Sequence, residues 1–262
     1  KVITSGSLGA AGAALGVSLD VPGSDAQGVT EAMHFLRQYN IRGSVPVGKR
    51  VAVIGGGNAA IDAARTAIRL GSESVTVLYR RTREEMPAYA EEIEEALQEG
   101  VTLRTLIHPE AFDVKNGRVT GVRCHAMKLG EFDRSGRRRP EDASDVACEV
   151  IPVDQIIVAI GQALDVKTLS GGVEVDRTER GWIKADSRTG VTSVPWLFAG
   201  GDAVSGPSSV VEAIAAGERT AVAMDKLLSG SEHAFWRGYK DSGAAFDPNA
   251  DPVTYARERL QT

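Results

Sequence analysis

The stretch Arg50-Val51-Ala52-Val53-Ile54-Gly55-Gly56-Gly57-Asn58-Ala59-Ala60 constrains the fold more than any other part of the chain. A run of β-rich apolar residues without polar alternation suits a parallel strand buried on both faces. Three glycines follow, then an alanine-rich segment over residues 59–70 that ends at Gly71 and reads as a helix. Gly55, Gly57 and Ala60 stand at G-x-G-x-x-A spacing between strand and helix, the context in which that spacing binds a dinucleotide. Gly55 permits a tight turn, Gly57 lets the backbone approach a pyrophosphate, and Ala60 keeps helix and strand close. Amides at the helix start bind phosphates. The candidate residues are Gly55, Gly56, Gly57, Asn58, Ala59 and Ala60. A glycine turn that serves packing alone is the alternative.

The end of the next strand, over residues 74–79, names the nucleotide. A site for NAD usually carries Asp or Glu there, accepting from the ribose hydroxyls. This chain carries Tyr79-Arg80-Arg81-Thr82-Arg83. Guanidinium groups grip a 2′-phosphate through charge-assisted bonds, whereas a carboxylate repels it. The pattern points to NADPH, with Arg80 and Arg81 ahead of Arg83. A solvated basic loop is the other reading.

Around this unit the periodicity predicts an amphipathic helix over 27–39, an acidic helix over 87–99 with Pro87 in its first turn, and a third strand over 101–105. Antiparallel strands follow over 110–115, 118–127 and 147–153, with a hairpin turn at Asn116-Gly117 and a polar loop over 133–145. A buried strand over 155–160 ends at Gly161. Further on come a short strand over 181–184, a buried strand over 196–199, a long helix over 208–228, and a polar tail. The second of these strands runs into Gly200-Gly201-Asp202. A carboxylate placed so can meet the ribityl and pyrophosphate part of FAD. The helix start near Ser209 and Val210 would face the flavin pyrimidine, where reduction builds negative charge. Gly-Asp is also a common turn, so this signal alone does not decide.

Composition narrows the partners. A net charge of −5 gives no reason to expect nucleic acid. No stretch approaches the ~18–20 uninterrupted apolar residues of a membrane span. Cys124 and Cys148 lie far apart in sequence and form no Cys-x-x-Cys pair. A cytoplasmic address is the default expectation. The four histidines, His34, His108, His125 and His233, are scattered and read as structural or exposed.

Four segments carry a family resemblance: 53–62, with its three glycines; 78–88, reading LYRRTREEMPA; 129–131 with SGRRRP at 135–140; and AIGQ at 159–162 with 194–213. Together they resemble the small, NADPH-oxidising subunit of bacterial glutamate synthase and its relatives, including the reductase part of dihydropyrimidine dehydrogenase. The resemblance implies an α/β flavoprotein fold with two dinucleotide-binding domains, a Rossmann-like NADPH domain being inserted in an FAD domain. Its cofactor-binding residues would include Gly161, Gly201, Asp202, Ser209 and Val210. Hydride would pass from NADPH to FAD, and electrons onward to iron–sulfur clusters or an iron–sulfur partner. The arginines of SGRRRP are expected on the loop of the antiparallel part, as a surface or partner-facing feature, with a solvated hairpin tip as the alternative. The implied domains are 1–44, the end of a first FAD segment and a connector helix; 45–161, the NADPH domain; 162–230, a second FAD segment; and 231–262, a tail.

In that family a first glycine motif, which holds the ADP half of FAD, lies ahead of the segment matching Thr4-Ser5-Gly6, and this chain does not contain it. The expectation is therefore an incomplete FAD domain, with FAD weakly held or absent, and a fragment that is inactive alone. An exposed apolar face is expected around Val2-Ile3, Val158 and Leu197-Phe198, favouring a homodimer. A nucleotide-binding or interaction module without redox activity is the alternative function. A disulfide reductase of the thioredoxin reductase kind would need a cysteine pair near the flavin.

Overall fold

A computed structural model describes residues 12–13, 15–132, 137–143, 149–166 and 172–230. In chain order the strands are β1 (Leu15–Gly16), β2 (Val29–Glu31), β3 (Arg50–Ile54), β4 (Ser74–Tyr79), β5 (Thr102–Thr105), β6 (Ile107–Lys115), β7 (Arg118–Phe132), β8 (Arg138–Asp142), β9 (Glu149–Pro152), β10 (Gln155–Val158) and β11 (Gln162–Ala163). The helices are α1 (Ala32–Arg42), α2 (Asn58–Arg69), α3 (Ala90–Gln98), α4 (Asp202–Ser205) and α5 (Val210–Ser229).

A five-stranded sheet in the order β2-β10-β3-β4-β5 forms the centre, and every pairing in it is parallel. Successive side chains on a strand point to opposite faces. Val51 and Val53 of β3, Val75 and Val77 of β4 and Ile157 of β10 therefore pack on α1, α2 and α3. Ala52 and Ile54, Leu78, and Ile156 and Val158 face the other way, toward Phe112, Val119, Val122 and Cys124 of the antiparallel sheet. Both faces of the parallel sheet are covered, which is why β3 and β10 at its centre read as unbroken apolar runs. Helix α2 buries Ala60, Ile61, Ala63, Ala64 and Ala67, and this alanine face lets the helix lie close to the sheet. After β5 the chain crosses to the second layer, where β6, β7 and β8 pair in sequence and β9 pairs with β7. It then returns to insert β10 between β2 and β3.

Several expectations are corrected. The helix expected over 27–39 is a three-residue strand followed by α1, so the parallel sheet begins at Val29, ahead of the boundary placed at residue 45. A strand this short shows no period and is recognised only by its pairing. Pro87 lies outside α3, and Tyr89 caps that helix. The polar loop over 133–145 contains β8, paired with Met127, Lys128, Leu129 and Phe132. Residues 181–184 and 196–199 make isolated bridges, Arg177 to Ile183 and Val191 to Phe198. Trp196 is exposed, so the second of these is not a buried strand. Val158 is buried inside the antiparallel layer's core, contrary to the exposed face expected there, while Val2-Ile3 and the 231–262 tail lie outside the described residues.

Beyond β11 the packing thins. Val166, Ile183 and Ala203 form the one buried cluster there among the described residues, and α5 turns Val210, Val211, Ile214, Leu227 and Leu228 to the outside.

Candidate functional site

Strands β3, β4 and β5 progress one way from the middle of the sheet, whereas β10 and β2 lie on the other side. The sheet's order thus reverses between β3 and β10, and at the carboxyl ends of strands such a crevice receives ligands. A cleft of about 1290 Å³ opens at that point, lined by Gly55–Ala59, Tyr79–Arg81, His108, Arg137, Ala159–Gln162 and Asp202.

The three glycines do three different things. Gly55 has φ +142°, and a Cβ there would stand 2.2 Å from the carbonyl oxygen of Ala159 on the neighbouring strand. A Cβ on Gly56 would meet the Tyr79 ring at 2.5 Å. Packing alone accounts for both. Gly57 differs: it caps α2 with an extended backbone (φ −90°, ψ 174°), and a Cβ would meet nothing nearer than Pro87 Cγ at 3.9 Å. Space above Gly57 is open to the cleft, as a phosphate requires. Its carbonyl accepts from Ala60 and Ile61, while the α2 N-terminus has no side-chain cap. Asn58 points its Oδ1 at the backbone amide of Tyr89, 3.1 Å away, and so ties the turn to the start of α3. Ala60 is fully buried against the sheet.

The arginines separate. Arg80 lines the cleft, and its pKa is lowered by partial burial and then by the Arg81 and Arg137 guanidiniums. Among the described residues no carboxylate acts on Arg80. Like charges gathered in this way favour an anionic guest. Arg81 is buried and donates from Nε to the Arg138 carbonyl at 2.7 Å, so it builds the wall as much as it charges it. Arg83 turns away and pairs with Glu94. Arg137, expected as a surface or partner-facing residue, lines the cleft beside Arg80 instead. It is brought there by β8, whose Arg138 amide donates to Glu85 Oε1 at 3.0 Å. Arg137 is the residue that sequence reasoning placed wrongly, although SGRRRP had been picked out as part of the resemblance.

On the far side of the cleft, Gly161 (φ +150°) follows β10, and its carbonyl accepts from Val17. Gly201 adopts φ 61°, ψ −148°, a conformation suited to glycine, and caps α4. Asp202 Oδ1 accepts from the Ser208 amide at 3.3 Å. At the α5 start Ser209 Oγ accepts from the Glu212 amide, and the Glu212 carboxylate accepts from the Ser208 hydroxyl and from the Ser209 amide and hydroxyl. These bonds hold the Glu212 pKa below the usual carboxylate range. The helix terminus thus already holds an anionic group of its own. Ser209 lines the cleft; Val210 is exposed on the helix behind it. Sequence positions 55–59, 80–81, 161, 202 and 209 therefore meet on one cleft, and 60, 83, 201 and 210 are not on its lining.

Cys124 is buried in the antiparallel layer, its Sγ 4.0 Å from the Val122 carbonyl, away from the cleft; Cys148 lies outside the described residues. Among the described residues no helix is long and apolar enough to cross a membrane, and no group of His, Cys, Asp and Glu could hold a metal ion.

This fold, with a glycine turn and a cationic strand end on one crevice, is that of a pyridine-nucleotide oxidoreductase. Residues 8–217 match the pyridine nucleotide-disulphide oxidoreductase family, and the chain belongs to it. It is 46% identical over 202 residues to the NADP(+)-dependent formate dehydrogenase subunit beta of Moorella thermoacetica, covering 77% of this chain and 28% of that one. It is 39% identical over 178 residues to the glutamate synthase (NADPH) small chain of Escherichia coli, covering 66% and 38%. To the NADPH-Fe(3+) oxidoreductase subunit beta of Geobacter sulfurreducens it is 37% identical over 215 residues, covering 74% and 32%. The chain thus spans 28–38% of the length of these relatives. The crystal structure of thioredoxin reductase from T. acidophilum shares the fold, with a TM-score of 0.61 at 21% identity over 80% of this chain and 61% of that one.

Proposed function

We propose that this chain is the NADPH-oxidising module of a flavoprotein oxidoreductase of the glutamate synthase small-chain type. The observation that carries the reading is Arg80, beside the Arg81 and Arg137 guanidiniums and with no carboxylate among the described residues acting on it, on the same crevice as the open face of Gly57. In this reading Gly57 and the first amides of α2 receive the pyrophosphate, and Arg80 and Arg137 receive the 2′-phosphate. Asn58 holds the turn in register with α3. FAD supplies the hydride acceptor, and transfer between two aligned rings calls for orientation rather than a protein acid or base. Asp202 and Ser208 fit the flavin side as a polar pair on the cleft wall, and electrons then leave to an iron–sulfur protein or domain. The names of the relatives, subunits of NADPH- or NADP-linked oxidoreductases, support this assignment.

A nucleotide-binding module without redox activity is the second reading. The Glu212 carboxylate at the α5 start favours it, because negative charge there opposes reduction of a nearby flavin. Titrating NADPH and NADH against the wild type, Arg80→Ala and Arg137→Ala tests the nucleotide assignment. The wild type should prefer NADPH, and each variant should lose roughly ten- to a hundredfold in NADPH affinity with little change for NADH. Equal affinities in the wild type would overturn it.

A further inference from the structure

His108 is half-buried in the cleft wall, and nothing in the nucleotide-binding reading uses it. Its position is fixed by the turn before it. Leu106 adopts φ 55°, donates to the Arg81 carbonyl at 3.1 Å and accepts from the Met127 amide at 2.8 Å. This double tie fastens the start of β6 to the strand end that carries Arg80. Across the β6–β7 ladder His108 pairs with His125, the two rings meeting edge to face with centroids 5.4 Å apart. Behind it, His125 Nε2 lies 2.8 Å from Asp142 Oδ1 on β8, and its Nδ1 lies 3.7 Å from Glu110 Oε2 on β6. His108 therefore faces Arg80 just past β4, His125 from β7 and Asp142 from β8; Arg81 and Arg137 share the cleft wall.

We propose that His108 takes up a proton when a 2′-phosphorylated adenosine binds beside Arg80, so that discrimination of NADPH from NADH grows as pH falls. Without a nucleotide beside it, burial, His125 and Arg80 lower the His108 pKa, outweighing Asp142, so the neutral ring is favoured near pH 7. A phosphate seated on Arg80 cancels that repulsion and adds an attraction of its own. The imidazolium then becomes the favoured form, with the proton drawn from solvent. Because the pKa is higher in the bound state, affinity rises as pH falls through the bound-state pKa and levels off below the free-state one. The 2′-phosphate's own protonation, with a second pKa of about 6, works in the opposite direction. The two contributions are separated by removing the histidine.

This proposal rests on Arg80 holding the 2′-phosphate, and the experiment tells the two apart. Calorimetry of the full chain with NADPH, NADH and 2′,5′-ADP, in buffers of different ionisation enthalpy from pH 6 to 8, measures proton uptake for the wild type and His108→Gln. The wild type is expected to take up more protons with NADPH and 2′,5′-ADP than the variant does, and no more with NADH. Its NADPH:NADH affinity ratio should exceed the variant's by up to roughly tenfold for each pH unit lowered. Identical uptake and identical pH dependence in the two proteins would overturn the role of His108 while leaving the NADPH preference standing. Equal NADPH and NADH affinities at every pH would sink the Arg80 reading and this proposal with it. Ring-nitrogen NMR of the wild type supplies a measurement that needs no variant: a His108 titration midpoint unmoved by 2′,5′-ADP also overturns the proposal.

Discussion

Valine at position 57 is expected to leave the protein folded and to abolish NADPH binding. The backbone there is already in a region that a β-branched residue adopts, and a Cβ would meet nothing nearer than Pro87 Cγ at 3.9 Å. The expected loss of stability is the modest one of a poorer helix cap, about 1 kcal/mol. Alanine at position 55 should do the reverse of a binding-selective change. Its methyl group would collide with the Ala159 backbone at a φ that L-residues avoid, so a loss of at least ~2–3 kcal/mol in denaturant unfolding is expected. Retained NADPH affinity in Gly57→Val would reduce the whole turn to a packing device. At this scale the sequence was informative where spacing carries meaning: 55, 57, 60, 80 and 202 could be picked out because strand, turn and helix frame them. It kept Arg83 as a candidate and put Arg137 at the surface, and the structure reverses both. Whether one arginine of a cluster meets Glu94 and another meets the cleft depends on strand β8 and the short turn at Arg83–Glu85, and neither leaves a periodic trace.

Helices α2 and α3 are joined by Glu99 at the end of α3, with Glu95 also pairing with Arg65. Glu99 accepts from Arg65 and Arg69, and these hydrogen bonds bring its pKa down to about 2. A depressed carboxylate stabilises the fold above its unfolded pKa, near 4.5, and that contribution disappears as pH falls toward 2. The Glu99 side chain is 25% exposed and both arginines reach solvent, so screening reduces the contribution to about 1 kcal/mol. Urea melts of wild type and Glu99→Gln should differ by that amount at pH 7 and converge near pH 2; a constant gap would mean that packing, not charge, is lost. Strand β8 depends on a similar clasp, Glu85 receiving the Arg138 amide while Arg81 donates to the Arg138 carbonyl. Its residues, Arg-Arg-Pro-Glu-Asp, are charged on both faces, and an exposed strand of that composition cannot be told from a loop by hydrophobic period. The inner parallel strands β3, β4 and β10, buried on both faces, were legible for the opposite reason.

For the whole molecule, the apolar interior divides at β11. Every residue of the two large clusters lies between Leu19 and Ala159, and the small third cluster begins at Leu164. The flavin side of the cleft offers Asp202 and Ser208–Ser209, of which the Ser209 amide already serves Glu212. Those few contacts must offset several kcal/mol of lost cofactor freedom. The chain of residues 1–262 is therefore expected to bind NADPH yet purify colourless, and a visible spectrum with added FAD checks it: a stoichiometric flavin band bleached by NADPH would show the flavin side to be sufficient. What sequence could not reveal at this scale was how unevenly the burial is shared, because the apolar residues of α5 resemble core positions until their neighbours are seen. The ladder of β1 with β11, Leu15 opposite Ala163 and Gly16 opposite Gln162, has a practical corollary. The path into the nucleotide-binding unit and the path out of it run side by side, as the two leads of a plug do. A gene segment for residues 15–163 can accordingly be lifted out, or spliced into a host loop, without stretching either connection.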